Sequence, residues 1–240
     1  MGAKVDLDFS LKNSMFNEIN KQCQRLDYFV KNTFKDKDVE IRLLKNNQDL
    51  EELSDLRKKV YSEKNESIFH GYKEKLFLDE YDVDSYIFSF FSEGKMTASQ
   101  RVRFYPFEVG HYVNKNDITA FLGEGLENDY IEYSRLAVDN TPGIRSRMVA
   151  HCLALVSSTS IILSTGIRNA ITYTKPRMSR KNISFSNDTL EFYIKERDHN
   201  YLLFKVDMFQ DMIKRLNLAV DSEEEAIDIL DERVNNKQSI

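Results

Sequence analysis

Two aromatic-rich runs, Tyr86 to Phe91 and Met96 to Tyr105, stand either side of a Ser-Glu-Gly-Lys step. β-prone runs joined by a short turn containing glycine specify a hairpin. The chain therefore holds antiparallel sheet, and the flanking segments must pack around it. Leu50, Leu53, Leu56 and Val60 recur at helical spacing just upstream, with Asn46 or Asn47 available as N-cap. Residues 8–34 also read as an amphipathic helix, through Met15, Ile19, Cys23, Leu26 and Val30, and Val39 to Leu44 as a first strand. Residues 62–84 are polar, with Phe69, Tyr72, Leu76, Phe77 and Tyr81 as anchors, which suits an ordered loop or short helices.

Downstream, Tyr130 to Val138 is a further strand, and the apolar run Met148 to Leu163 is a buried helix. Asn169 to Thr174, Leu190 to Ile194 and Tyr201 to Val206 are late strands. Phe209 to Leu216 and a helix opened by the capping pair Ser222 and Glu225 close the chain. This order gives an α+β fold with a mixed central sheet flanked by helices. Three segments are expected: a helical extension over 1–36, a main domain over 37–207 and an acidic helical tail over 208–240.

With 240 residues, 41% of them hydrophobic and only three prolines, the chain suits one large domain with a substantial core. No run approaches the ~20 apolar residues of a spanning helix, and the start lacks a signal-peptide core. Cys23 and Cys152 have no metal or redox spacing, and His70, His111, His151 and His199 share none. These features point to the cytoplasm and to no metal. Net charge is −5, yet no acidic residue occurs between Asp139 and Asp188. That gap holds Arg145, Arg147, Arg168, Lys175, Arg177, Arg180 and Lys181. A basic segment in an acidic chain suggests an anionic partner, and nucleic acid is disfavoured because no reader motif appears.

Three patterns carry the chemistry. Arg57 and Tyr61 are followed by Asp79-Glu80-Tyr81-Asp82. Arg101 lies in the second hairpin strand. Glu132-Tyr133-Ser134-Arg135 lies in the next strand. Alternation puts Glu132 and Ser134 on one face and Tyr133 and Arg135 on the other, unless a bulge brings Glu132 and Arg135 to the same cleft. Charged side chains in an apolar strand need partners, and Arg57, Arg101, Asp79 and Asp82 are the candidates. From the residues alone, a structural salt-bridge network and a catalytic site fit equally well.

In order and spacing, the run from Arg57 to Met178 resembles the acyl-homoserine-lactone synthases, which make bacterial quorum-sensing autoinducers, and the related N-acyl amino acid synthases. The matching positions are Arg57 and Tyr61, Asp79 to Asp82, Arg101, Glu132, Ser134, Arg135, Val138, Asp139, Gly166, Ile171 to Thr174 and Met178. The resemblance implies a GNAT fold and transfer of a fatty acyl group from acyl carrier protein, or coenzyme A, onto an amine. It implies no tightly bound cofactor. S-Adenosylmethionine is the acceptor in the lactone branch. The lactone synthases carry a Trp after the Arg–aromatic pair and this chain has none, so the acceptor stays open between S-adenosylmethionine and an amino acid. A GNAT-like domain that binds without catalysing is the alternative.

On that resemblance Glu132 is the expected base, and Arg101 and Arg135 hold it and Asp82, or bind an acceptor carboxylate. Arg57, Tyr61, Asp79, Asp82 and Ser134 are expected at the acceptor site. Backbone amides around Leu136 to Val138 would stabilise the oxyanion. Gly143, Arg145 and Arg147 ahead of a helix suit a phosphopantetheine phosphate, with Lys175, Arg177 and Arg180 docking the carrier protein. The stretches Cys152 to Leu163 and Ile171 to Tyr173 wall an acyl tunnel or are simply core.

Overall fold

The computed structural model describes residues 13–35, 37–64, 77–140, 142–179, 185–216, 225, 227–229 and 231–232. Met1 to Lys12, Lys64's successors through Leu76, Thr141, Arg180, Lys181 and Ser222 lie outside them, so the expectations placed there stay with the sequence. Helices α1 (Asn13–Arg25) and α2 (Asp27–Thr33) precede β1 (Val39–Leu43), α3 (Asn47–Lys64) and the single turn α4 (Glu80–Val83). The hairpin β2 (Tyr86–Ser92) and β3 (Lys95–Arg103) is followed by a 3-10 turn (Glu108–His111), α5 (Lys115–Leu122) and α6 (Leu126–Asp129). Then come β4 (Tyr130–Val138), α7 (Ser146–Thr165), β5 (Asn169–Thr174), α8 (Pro176–Ser179), β6 (Phe185–Ile194), β7 (His199–Asp207) and α9 (Met208–Leu216).

The strands form a mixed sheet in the order β1-β2-β3-β4-β5-β7-β6. Among the described residues only the β4–β5 pair runs parallel, joined by α7 as the crossover. The hairpin turns through Glu93 and Gly94, both at positive φ (53° and 73°), the geometry that matches strand twist and that glycine accepts without strain. Asn46 caps α3, its side-chain oxygen accepting from the amide of Asp49 at 2.9 Å. The expected long N-terminal helix is broken at Leu26, whose amide reaches both Gln22 and Cys23 carbonyls.

Two apolar layers sandwich the sheet. On one face, Tyr86, Phe88, Phe90, Val102, Ile131 and Tyr133 meet Ile19 and Cys23 of α1, Leu26 between α1 and α2, Leu153 and Val156 of α7, and Phe209 of α9. On the other, Ile87, Phe91 and Ala137 meet Leu50, Leu53, Leu56, Val60 and Tyr61 of α3. Contrary to the expectation that no run approaches spanning length, helix α7 is long and apolar enough to cross a membrane, but most of it is buried inside the fold. A core helix covered on several sides reads this way without any bilayer.

Candidate functional site

The parallel pair positions the site. β4 and β5 are paired only from Tyr130↔Asn169 to Tyr133↔Thr172. Beyond that point β4 continues to Val138 against β3, while β5 continues to Thr174 against β7. The two strands therefore part, and the β5-facing edge of β4 from Ser134 onward has no pairing with β5. Within this stretch the β3–β4 register slips by one residue between Ser99 and Arg101. Arg135 sits there at φ 53°, the left-handed region. This is the bulge that alternation required for Glu132 and Arg135 to serve one site.

On the α3 side of the splay lies a buried charge network. Arg57 of α3 holds Asp82 through two hydrogen bonds, 2.6 and 2.9 Å. Arg101 of β3 bonds Asp79, Asp82 at 2.9 Å, Glu108, and the Ser134 hydroxyl oxygen at 3.0 Å. Arg135 bonds Asp79 at 2.9 Å and pairs with Glu108 at 2.9 Å. Local sequence explains the acidic side: Asp79-Glu-Tyr-Asp82 is a capping box. Asp79 accepts from the amide of Tyr81 while Asp82 accepts from the amide of Asp79. The same two carboxylates thus start a helical turn and receive three guanidinium groups. Tyr61 is buried beside them, and burial raises its phenol pKa against the pull of Arg57, Arg135 and Arg101.

Glu132 is fully buried, but its partners differ from those expected. Its two oxygens accept the backbone amides of Glu108 (2.5 Å) and Val109 (3.0 Å). Arg101 and Arg135 make hydrogen bonds and ion pairs with Asp79, Asp82 and Glu108, and Arg101 also donates to Ser134. They therefore organise the network, Arg101 holding Asp82 as expected, and Arg101 also acts on Glu132 through its charge. Burial, then the charge of Glu108, pushes the Glu132 carboxyl up to about 8, against the two amides and Arg101. Glu108 goes the other way. Burial would raise it, but Arg135, Arg101, Arg197 and the Tyr173 hydroxyl hold it at about 2. Two neighbouring carboxyls with pKa values driven apart are the pattern of an acid–base site.

Sequence reasoning missed Glu108 and Arg197, and placed Tyr173 only along an acyl tunnel or in the core. The Tyr173 hydroxyl donates to Glu108 at 2.9 Å. Arg197, between β6 and β7, donates to Tyr112 at 3.1 Å and lies over the rings of Tyr112, Tyr173 and Tyr201. The available signal was a lone Glu in the apolar stretch Tyr105-Pro-Phe-Glu-Val; no spacing rule ties it to Glu132.

The basic residues sit apart from this network. Gly143 (φ 74°) and Arg145 precede α7, and Arg147 is in its first turn. Arg145 and Arg147 are exposed, and Lys37 approaches Gly143. Lys175 follows β5 half-buried, its pKa lowered by burial and by Arg197, and Arg177 is exposed in α8. The stretch Cys152 to Ile162 is core, with Leu153, Val156 and Ile161 fully buried. A shallow depression lined by Asn128, Asp129, Gly166 and Asn169 lies at the opposite, amino end of β4 and β5. Among the described residues no group of His, Cys, Asp or Glu has the arrangement of a metal site.

No protein-family model matches the sequence, and no curated protein matches it significantly. Solved structures do. The AHL synthase LasI superposes with a TM-score of 0.54 at 16% identity, covering 78% of this chain and 99% of that one. FeeM, an N-acyl amino acid synthase from uncultured soil microbes, gives 0.53 at 11% identity over 72% and 92%. TofI in an apo form gives 0.50 at 16% identity over 77% and 98%. At such identities the likeness is one of fold. In fold, a mixed sheet parted between β4 and β5, the chain is similar to the AHL synthases LasI and TofI and to the N-acyl amino acid synthase FeeM.

Proposed function

We propose that this protein is an N-acyltransferase that moves a fatty acyl group from a carrier-protein or coenzyme A thioester onto a primary amine in the cytoplasm. One observation carries the reading: a buried carboxyl, Glu132, raised to about 8, on the strand that borders the β4–β5 opening. The acceptor nitrogen attacks the thioester carbonyl carbon and the carbon–sulfur bond breaks. The departing thiolate takes up a proton, and Glu132, directly or through a water, takes the proton that the nitrogen sheds. A pKa near 8 suits a base that must work on an alkylammonium close to neutrality.

The other groups take supporting roles. Asp79, the network carboxylate nearest solvent at 16% side-chain exposure, is suited to an acceptor ammonium. The β4 amides from Leu136 to Val138 are suited to the oxyanion. Gly143, Arg145 and Arg147 are suited to the phosphopantetheine phosphate, and Lys175 and Arg177, with Arg180 by sequence, to an acidic carrier protein. The acceptor is S-adenosylmethionine, giving a lactone and methylthioadenosine, or an amino acid, giving a linear acyl amide.

A second reading, a ligand-binding protein without catalysis, draws on both Glu132 oxygens being satisfied by backbone amides. Mass spectrometry of organic extracts from cells overexpressing the wild type or Glu132→Gln separates the readings. Catalysis gives an acylated amine that the variant lacks. Identical extracts from both strains favour the binding protein.

A further inference from the structure

We propose that Tyr133 is the floor of the acyl slot and confines the enzyme to short acyl groups; this rests on the acyltransferase reading above. Tyr133 forms the last β4–β5 pair, with Thr172, before the strands part. Anything entering the opening between them arrives at this residue.

The two faces of the sheet are unequal for an apolar chain. On the α3 side the opening leads to Arg101, Arg135, Asp79 and Glu108, all engaged in ion pairs. A hydrocarbon there would strip water and partners from charge. Ala137 packs on the α3 side, so alternation turns Leu136 and Val138 to the α7 side. Leu136 is 48% exposed, an apolar side chain next to the opening with little covering it. An acyl chain therefore runs along the α7 side, and there it meets the Tyr133 ring.

That ring is fixed. Its hydroxyl pairs with the Ser158 hydroxyl of α7 at 2.8 Å and donates towards the Met208 sulfur at 3.2 Å. Swinging it aside would leave buried polar groups unpaired. Behind it Leu153 and Val156 are completely buried, so the floor is backed by packed core. Chain length is thus limited by one aromatic side chain held at its tip by hydrogen bonds.

The test uses the purified full chain with coenzyme A and carrier-protein thioesters from two to twelve carbons, offered with S-adenosylmethionine and with mixed amino acids. Thiol release gives rates and mass spectrometry gives products. The wild type is expected to prefer short donors. Tyr133→Ala is expected to raise the long-to-short ratio of kcat/KM by at least about tenfold, since each methylene accommodated in a pocket is worth roughly 10-fold or more. Tyr133→Phe, which keeps the ring, is expected to keep the short-chain preference. Thermal melts check folding, and Tyr133→Leu replaces Tyr133→Ala if the alanine variant does not fold. A wild type that takes long donors as well as short ones, or a ratio unmoved by removing the ring, overturns this inference while leaving acyl transfer standing. No transfer from any donor by the wild type overturns both.

Discussion

Arg57 and Asp82 meet through two parallel hydrogen bonds with side chains 0% and 1% exposed. The bidentate pair ties α3 to the turn that carries Asp79, and Arg101 joins it to the sheet. Breaking a buried ion pair from one side leaves a charge with neither water nor partner. Arg57→Met is therefore expected to cost about 3–5 kcal/mol of stability, read from denaturant unfolding. A loss below ~1 kcal/mol, the value of an exposed pair, would contradict the buried geometry.

Glu108 and Glu132 give opposite pH dependences. Glu108 is held below its ordinary value, at about 2. The stability it contributes is complete above its unfolded value of about 4.5 and is lost as pH falls toward 2. Glu132 is raised to about 8. Its contribution is complete below about 4.5 and is lost as pH rises through 8. Glu108→Gln should thus be most destabilised, relative to wild type, at neutral pH, with the difference narrowing in acid. Unfolding midpoints from pH 2 to 9 read this directly, and a difference constant across that range would show that Glu108 is not the anionic partner of the arginines.

Arg135 combines two roles that separate by mutation. It pairs with Asp79 and Glu108, and its backbone adopts φ 53°. Both Arg135→Gly and Arg135→Val lose the ion pairs, but only glycine accepts the left-handed backbone freely. The valine variant is expected to be less stable than the glycine variant by about 1–2 kcal/mol. Equal stabilities would mean that the bulge is not held in this conformation.

The exposed arginines ahead of α7 and the basic groups after β5 act at a distance from the chemistry. Arg145→Glu with Arg177→Glu is expected to raise KM for acyl carrier-protein donors about tenfold at low salt, with the difference shrinking as salt rises. kcat should change little, because neither residue touches the charge network. A salt-independent loss of kcat would place them in the reaction itself.

Much of the fold was legible because it follows from local rules. The bounds of β4 and β5, the β2–β3 turn at Glu93-Gly94 and the Asn46 cap all reflect periodicity or turn chemistry. The site was legible in part. Arg57, Asp79, Asp82, Arg101, Ser134 and Arg135 do converge, and the bulge at Arg135 is present. Glu132 was paired in expectation with guanidinium groups, whereas two main-chain amides of the 108–109 turn hold it. A backbone donor leaves no trace in residue identity, so no spacing rule could have found it. Glu108 and Arg197 were missed because they reach the network from connections between strands, placed by tertiary packing.

The most direct test of acyl transfer at Glu132 is a pH–rate profile of the purified protein, with amide product measured by mass spectrometry from thioester donor and amine acceptor. Wild type is expected to form the amide with kcat/KM rising through a pKa near 8, and Glu132→Gln to fall by roughly 10²- to 10⁴-fold and lose that rise. Amide formation by Glu132→Gln at the wild-type rate, with the same profile, would contradict the account.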